Sequence, residues 1–339
     1  EMVIDGGNYE ATADPLTVVP NGNGATVEGA AIGVSQHTTN LPTSVTIKNG
    51  TFSGAYSIWE KDVQDEVARD VITLSVENGT FKGAVYSQNN ASFIKGGTFS
   101  DAPAQDYLAE GYASTRTILS MSSDVKEYTV KKVTEVSDAS SLIKAAEDGE
   151  PYIRLMSNIE VDRTVIVGSN WSYVTLDLNG HKITNSKSIW NVDKGDWSIL
   201  SLRSASGCLI VKGNGIIEAK EESDDSKDAY AIDVQNKSAK VLLVDGEFVG
   251  RTHSVYSFAG EVYIEGGKYS NTNKENHDYV INCYNDNYKD KAANIIVKGG
   301  EFANFNPGDC RAEGEHTSFL ASGYKSEKDG DCYKVVKAE

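Results

Sequence analysis

A six-residue phrase recurs along the chain and constrains its fold more than any other feature. It reads apolar, any residue, Gly/Asn/Asp, Gly, any residue, aromatic. Its copies occupy residues 4–9, 47–52, 76–81, 94–99, 243–248, 264–269 and 297–302. The closest aromatic positions, Phe81 to Phe99 and Phe248 to Tyr269, are 18 and 21 residues apart. A repeat near this length, with insertions of variable size, predicts a solenoid whose coils carry loops.

The residues before each glycine have the period of a strand. In VTIKNG (45–50) and VYIEGG (262–267), apolar side chains alternate with polar ones, as on a strand with one buried face. The Asn-Gly or Gly-Gly pair supplies positive φ, so the chain is expected to turn a corner there. The aromatic residue two positions later then points inward again. Stacked coils would form aliphatic and aromatic ladders with parallel pairing.

These features predict an all-β fold, a right-handed parallel β-helix (solenoid). The alternative is an antiparallel sandwich or barrel. Unequal spacing favours the β-helix, because a coil accepts insertions at its corners whereas hairpins need matched strands.

Two tandem modules are predicted, with one short capping helix near residues 137–149. That segment, SDASSLIKAAEDG, has a capping residue at Ser137 or Asp138 and a terminating Gly149. Such a helix would cover the open end of a tube and prevent edge pairing. We therefore assign residues 136–339 to a complete second module and residues 1–135 to the C-terminal part of a first. Either the native chain continues upstream, which we favour, or the uncapped edge of the first module pairs with another chain.

The charge balance restricts the partners. With 32 Lys and Arg against 49 Asp and Glu, the formal net charge is −17, which disfavours nucleic acid. No apolar stretch is long enough for a membrane span, so no membrane insertion is predicted. Divalent cations, basic protein surfaces and neutral glycans fit this charge.

The four cysteines lack a metal-binding spacing. Cys310 and Cys332 flank one terminal segment and could form a disulfide. Cys208 and Cys283 adjoin apolar runs and could be core thiols. An oxidising compartment is permitted by this pattern.

The chain resembles a known family in its opening and closing segments. LDLNGHKI (176–183), the glycine-aromatic coils and the closing YLAEGY (107–112) resemble pectate-lyase-like right-handed β-helix modules. Such modules occur in tandem in large surface proteins of gut bacteria, and similar ones occur in phage tail proteins. The resemblance covers nearly the whole chain and implies an extracellular, cell-surface or virion location. It is weak for function, because the class includes lyases, hydrolases, adhesins and tailspikes.

No catalytic residue is predicted. Asp177, with His181 nearby, is the most tempting acid, but its place in the generic opening coil favours a structural role. A second group of charged residues could form a catalytic site, but a solvent-exposed strand face would give the same sequence pattern. It comprises Arg163, Asp193, Asp196 and Arg203.

Two long insertions carry the candidate sites. Residues 220–230 offer acids for Ca²⁺ in a charged loop that lacks EF-hand ordering: Asp224, Asp225 and Asp228. Residues 271–290 combine aromatic and polar groups suited to sugars or protein contacts: His277, Tyr279, Tyr284, Asn285, Asp286 and Tyr288. Tyr279, Ile281 and Cys283 also alternate like strand residues. In a further insertion, 57–70, Trp59 is either an exposed contact residue or part of the tube wall.

The leading functional hypothesis is an extracellular, non-enzymatic β-helix stalk or adhesin module that displays loops for glycan or host-protein binding. Tandem modules would add reach and avidity. The alternatives are a polysaccharide lyase or glycoside hydrolase, a phage tail fibre or tailspike component, and a spacer without a ligand. No cofactor is required, although Ca²⁺ would fit the acidic loop.

Overall fold

The computed structural model describes residues 1–21, 24–35, 41–61, 71–117, 123–168, 173–220, 228–273 and 279–338. The chain divides into two compact units, Glu1–Val133 and Thr134–Glu339. The predicted module boundary, between residues 135 and 136, lies two residues from this division.

The first unit contains a mostly parallel eight-stranded sheet and a two-stranded hairpin. Its strands are β1 (Met2–Glu10), β2 (Thr17–Asn21), β3 (Gly24–Glu28), β4 (Ala30–Val34), β5 (Thr43–Glu60), β6 (Ile72–Val76), β7 (Thr80–Ser87), β8 (Thr98–Phe99), β9 (Tyr112–Arg116) and β10 (Tyr128–Lys132). The main path through the large sheet is β1-β5-β7-β8-β10-β9, with β4 and β6 also paired to β5. Strands β2 and β3 form the separate antiparallel hairpin.

The second unit contains two sheets. Its strands are β11 (Thr134–Val136), β12 (Tyr152–Leu155), β13 (Ile159–Val161), β14 (Val165–Val167), β15 (Tyr173–Asp177), β16 (Lys182–Asn185), β17 (Ser198–Leu202), β18 (Cys208–Lys212), β19 (Ile216–Glu218), β20 (Tyr230–Leu243), β21 (Glu247–Gly250), β22 (His253–Ile264), β23 (Lys268–Asn271), β24 (Ile281–Cys283), β25 (Ala293–Val297), β26 (Glu301–Ala303), β27 (Tyr324–Asp329) and β28 (Cys332–Lys337). One sheet has ten strands and the other has eight. Two helices complete the unit, α1 (Ala139–Asp148) and α2 (Asn285–Lys289).

The repeated phrase sets the parallel register within each unit. Tyr9 pairs with Phe52, Phe52 with Phe81 and Phe81 with Phe99. Their rings stack at centroid distances of 5.1, 5.1 and 4.7 Å. In the second unit a similar stack is formed by Phe248, Tyr269 and Phe302, at 5.2 and 4.9 Å. The predicted aromatic ladders are therefore confirmed.

The glycines of the phrase have two different tasks. The second one has positive φ in every copy, for example 135° at Gly79, as predicted. The first position depends on the coil. A Cβ at Gly299 would lie 2.1 Å from the carbonyl oxygen of Glu265, whereas Asn78 stands at the matching position with an exposed side chain. The close approach of the preceding backbone therefore requires glycine in some copies and not in others.

The predicted helix is confirmed as α1. Asp138 accepts a hydrogen bond from the Ser141 backbone N–H in a capping box, and Gly149 ends the helix with φ of 72°. Leu142, Ile143, Ala145 and Ala146 are buried in the core of the second unit. The helix thus covers apolar surface beside strands β11 to β14.

Both units end in hairpins with matching hydrogen bonds. Strands β9 and β10 form the first hairpin, and β27 and β28 the second. The last strand of each turns back antiparallel onto the final aromatic strand, β8 or β26. Equivalent backbone bonds are Val130 N–H to Gly97 O (3.1 Å) and Val335 N–H to Gly300 O (3.0 Å), then Val133 N–H to Gly111 O and Ala338 N–H to Gly323 O (both 2.8 Å).

The fold is all-β with mostly parallel sheets. Within the described ranges, antiparallel pairing between strands is confined to the hairpin β2–β3 and the closing strands. None of the four cysteines forms a disulfide, so the bridge considered between Cys310 and Cys332 is not formed. Trp59 lies in β5 and is buried, which corrects the placement of residues 57–60 in an insertion. Among the described segments, no helix is long and apolar enough to cross a bilayer.

Candidate ligand-binding site

The predicted binding insertion divides into exposed and packed residues. Tyr284 precedes α2 and is 40% exposed. Asn285 and Asp286 begin the helix and are exposed. Tyr279 and Tyr288, by contrast, pack partly buried against the core of the second unit. His277 lies outside the described residues.

Only one of the three predicted calcium ligands, Asp228, lies among the described residues. Asp224 and Asp225 lie outside the described residues. Asp228 accepts hydrogen bonds from the hydroxyls of Thr252 (3.1 Å) and Tyr230 (3.0 Å). No group of three or more metal-ligating side chains occurs in the described part of the chain. Calcium binding remains a prediction.

An aromatic surface lies on the outer face of the ten-stranded sheet. It consists of Trp197, Tyr256, Phe258 and Tyr284. Tyr256 and Phe258 are two residues apart on β22, where the intervening Ser257 is buried, so both point to the same outer face. Ring centroids are 6.3 Å apart for Trp197 and Tyr256, 5.7 Å for Trp197 and Phe258, and 4.9 Å for Phe258 and Tyr284. The side chains of Trp197, Tyr256 and Phe258 are only partly buried.

A polar network holds Trp197 in place. Arg203 donates from Nη2 to the carbonyl oxygen of Gly195 (2.8 Å) and to the Asp196 carboxylate (2.7 Å). Gln235 Nε2 donates to the same carbonyl and to buried Asp233. The loop that carries Trp197 is thereby bonded to Arg203, which follows β17, and to Gln235 of β20.

The second predicted constellation is therefore only partly assembled. Asp196 and Arg203 form an ion pair, as described. Arg163 lies 3.4 Å from Glu147 instead, and Asp193 is exposed. These residues do not form one site.

Asp177 has the structural role predicted for it. Its carboxylate accepts hydrogen bonds from the Tyr152 hydroxyl (2.9 Å), Arg154 Nε (3.1 Å) and the backbone N–H of Asn179 (3.1 Å). The flanking Leu176 is buried in the core, as expected. An acid held by three donors on the sheet joins neighbouring coils, and its acceptor sites are largely occupied.

A buried histidine fixes the orientation of Asn282 beside the aromatic surface. His253 Nδ1 is 2.5 Å from the carbonyl oxygen of Tyr279, and Asn282 Nδ2 is 3.4 Å from His253 Nε2. Burial lowers the pKa of His253 to about 4, so the ring is neutral at pH 7. Nδ1–H then donates to the carbonyl, and Nε2 accepts from the Asn282 amide. Asn282 Oδ1 consequently faces away from the histidine.

Glu313 approaches the same place from a turn near the end of the chain. Its Oε1 accepts a hydrogen bond from the backbone N–H of Cys283 (2.8 Å). Burial raises the pKa of Glu313 to about 7. Burial and the Glu313 charge also raise the pKa of Tyr256. Glu313 Oε2 and Asn282 Oδ1 are buried and have no hydrogen-bond partner.

Comparisons with protein-family models, curated proteins and solved structures give no match.

Sequence reasoning missed Trp197, Tyr256, Phe258 and Glu313. The segment HSVYSFAG (253–260) contained one usable signal, because its two aromatic residues occupy positions of the same parity on a strand. Glu313 carried no such signal, since only the fold brings it to Cys283.

Proposed function

We propose that each unit is a right-handed parallel β-helix and that the chain is an extracellular, non-enzymatic adhesin module. The second unit would bind a glycan or a host protein at its aromatic surface. The parallel register, the stacked rings and the helix over the apolar end support the solenoid. The extracellular, cell-surface setting and the origin in gut bacteria stay proposals drawn from the resemblance.

The observation that carries the binding role is the aromatic surface itself. Four rings from three separate segments meet on one rigid sheet and remain partly open to solvent. Aromatic side chains present broad apolar faces at a low cost in side-chain entropy, which suits sugar rings and protein contacts alike. Positioning by Arg203 and Gln235 lowers the ordering cost of binding further.

A binding array with immobilised glycans and host proteins tests this proposal. We expect Trp197→Ala to weaken any specific hit by at least about tenfold, equivalent to about 1.4 kcal/mol. Tyr173→Ala is the matched control, because Tyr173 is 48% exposed but belongs to β15 and not to the aromatic surface. A hit that tolerates Trp197→Ala would remove the aromatic surface from the site. A folded chain without any hit would favour a spacer.

One observation favours the enzymatic alternative. A carboxyl whose pKa is raised to about 7 beside aromatic rings, as at Glu313, is suited to general acid catalysis in a glycoside hydrolase. Hydrolysis also needs a second carboxylate across the scissile bond. New reducing ends after incubation with glycans, lost in Glu313→Gln, would establish the hydrolase; unsaturated products would indicate a lyase.

A trimer in light scattering would favour the tailspike alternative.

A further inference from the structure

Two buried oxygen atoms beside the aromatic surface lack a hydrogen-bond donor. Asn282 Oδ1 and Glu313 Oε2 have no partner, whereas the other polar atoms of these two groups are engaged. Asn282 Nδ2 is directed to His253, and Glu313 Oε1 accepts from Cys283 N–H. Buried acceptors without donors are uncommon in native proteins because each loses its hydrogen bonds to water. Each of these two side chains therefore has one oxygen that a hydrogen-bond donor from a ligand could satisfy.

The two acceptors are connected to consecutive residues of β24, Asn282 and Cys283. Asn282 pairs with Tyr256 in the parallel register of β22 and β24, so these side chains are neighbours on the outer face. Glu313 is bonded to the backbone of the next residue, Cys283, and acts electrostatically on Tyr256. Tyr284, one position further along the chain, forms the exposed side of the same region.

We infer that Asn282 Oδ1 and Glu313 Oε2 bind the ε-ammonium group of a lysine side chain presented by a partner protein. The inference rests on the proposed adhesin function and specifies its ligand as a polypeptide. An ammonium carries three N–H donors and no acceptor, which matches two acceptors that have no donor. It also neutralises the buried Glu313 carboxylate through a charge-assisted hydrogen bond.

The surroundings of the oxygens select lysine among cations. The rings of Tyr256 and Tyr284 offer faces for cation–π contact and an apolar lining for the four-carbon stem. Both oxygens are buried, so the ligand needs a narrow stem to reach them. An amine attached directly to a sugar ring is sterically less suited. The overall charge of −17 attracts basic partners.

Access depends on the turn that carries Glu313. Asn282 is fixed on β24, whereas Glu313 is followed by exposed residues 314–316. Entry of a ligand to Oε2 therefore requires movement of the Glu313 side chain, which exchanges its hydrogen bond to Cys283 N–H for one to the ligand. Lys289 contributes positive charge near Glu313, but its ion pair is with Asp286, at 3.7 Å.

The first experiment is an NMR titration of the intact chain with a capped Gly-Lys-Gly tripeptide and with its Nε-acetylated form. We expect the lysine peptide to bind at least about tenfold more tightly. Methyl glucosaminide, as a third probe, distinguishes an amino sugar from a lysine. Equal binding of the acetylated peptide, or no binding of the lysine peptide, would overturn the inference. Preference for the glucosaminide would overturn the choice of lysine.

Two variants distinguish specific recognition of the lysine peptide by Glu313 from general attraction of the peptide to acidic side chains. Glu313→Gln should lose the preference for lysine over acetyl-lysine, with the fold checked by near-UV circular dichroism. Asp286→Asn is the matched control, because Asp286 is an exposed acid in the same region and should leave the preference unchanged. If Glu313→Gln binds lysine as wild type does, the two oxygens hold only a buried water. If the wild type shows neither a Trp197-dependent signal on the array nor a preference for lysine, the proposed adhesin function fails together with the lysine inference. If only the preference for lysine is missing, the inference alone fails.

The pH dependence supplies a second readout. Between pH 6 and 8 a carboxyl with pKa near 7 changes from about one tenth to about nine tenths ionised, so affinity should rise about tenfold. The lysine ligand stays protonated throughout. The titratable groups that interact with Glu313 are Tyr256, Tyr288, Cys283 and Lys289.

Burial raises the pKa of Tyr256, Tyr288 and Cys283, away from this range of pH. His316, on the same turn, contacts Asp309 at 3.0 Å. His316→Asn should therefore retain the tenfold rise. A flat profile in the wild type, or a rise that disappears in His316→Asn, would count against Glu313 as the binding group.

Discussion

Replacing an interior ring of the aromatic ladder should destabilise the first unit far more than replacing its terminal ring. Phe81 is fully buried and stacks on Phe52 at 5.1 Å and on Phe99 at 4.7 Å. Phe-to-Ala changes in cores cost about 3–5 kcal/mol, and each stacked pair adds about 0.5–1.5 kcal/mol beyond area burial. Because Phe81 loses two stacked pairs, we expect Phe81→Ala to lie at the upper end of that core range and to lower the free energy of unfolding by about 4–5 kcal/mol.

Tyr9 is the internal control for this reasoning. It stands at the end of the ladder, is 37% exposed and has one stacked neighbour, Phe52. Tyr9→Ala should therefore cost about 1–2 kcal/mol. Native-state hydrogen exchange of the intact chain, followed for peptides of β5 and β7, measures both changes. Equal losses of protection in Tyr9→Ala and Phe81→Ala would refute the idea that stacking on two sides sets the stability of a coil.

Four further outcomes are expected in thermal or urea unfolding of the intact chain. The pKa of Glu313 in the folded chain, about 7, exceeds its ordinary 4.5, so its stabilisation is present below about pH 4.5 and lost by pH 8. Glu313→Gln should consequently stabilise the chain at pH 8 by about 1 kcal/mol after allowance for solvent screening, and not at pH 4.5. His253 has the opposite effect on the pH dependence of stability, because its pKa is lowered from 6.5 to about 4. Its contribution to stability is present above pH 6.5 and is lost as the pH falls through 4. His253→Gln should remove this loss of stability at low pH. Gly299→Asn should destabilise by about 1–3 kcal/mol because its Cβ would meet a backbone oxygen, whereas Asn78→Gly at the matching position should change stability by less than about 1 kcal/mol. Glu60→Gln should lower the free energy of unfolding by about 1–3 kcal/mol. The buried carboxylate accepts four hydrogen bonds, and the NH₂ group of a glutamine would face some of these donors with a further donor. An unchanged urea midpoint would contradict this expectation.

The all-β fold with mostly parallel strands was predictable because its signals are local and repeated. Alternation before each glycine predicts strands, and the recurring aromatic predicts the ladder. Capping residues around 137–149 locate α1. Helix α2 was missed because five residues carry too little periodicity to distinguish a short helix from a loop. The closing hairpins, β9–β10 and β27–β28, were also not predicted.

The candidate site was less predictable because its members come from distant segments. Exposure of Tyr284 and Asp286 follows from their place in a polar insertion. The packing of Tyr288 on Phe319, with ring centroids 6.2 Å apart, depends on a segment thirty-one positions away. Glu313 resembles any other acid of a charged turn until the fold places its carboxyl on Cys283. Composition of a loop therefore indicated the region, while tertiary contacts determined which side chains remain available.

The matching hairpins at the ends of both units have an evolutionary consequence. A reversed final strand ends the parallel series by its own pairing, independently of how many coils precede it. Whole coils can thus be gained or lost upstream of β9 and β27 without redesign of the terminus. Lineages carrying this pattern should therefore vary in coil number far more freely than in the sequence of the closing hairpin.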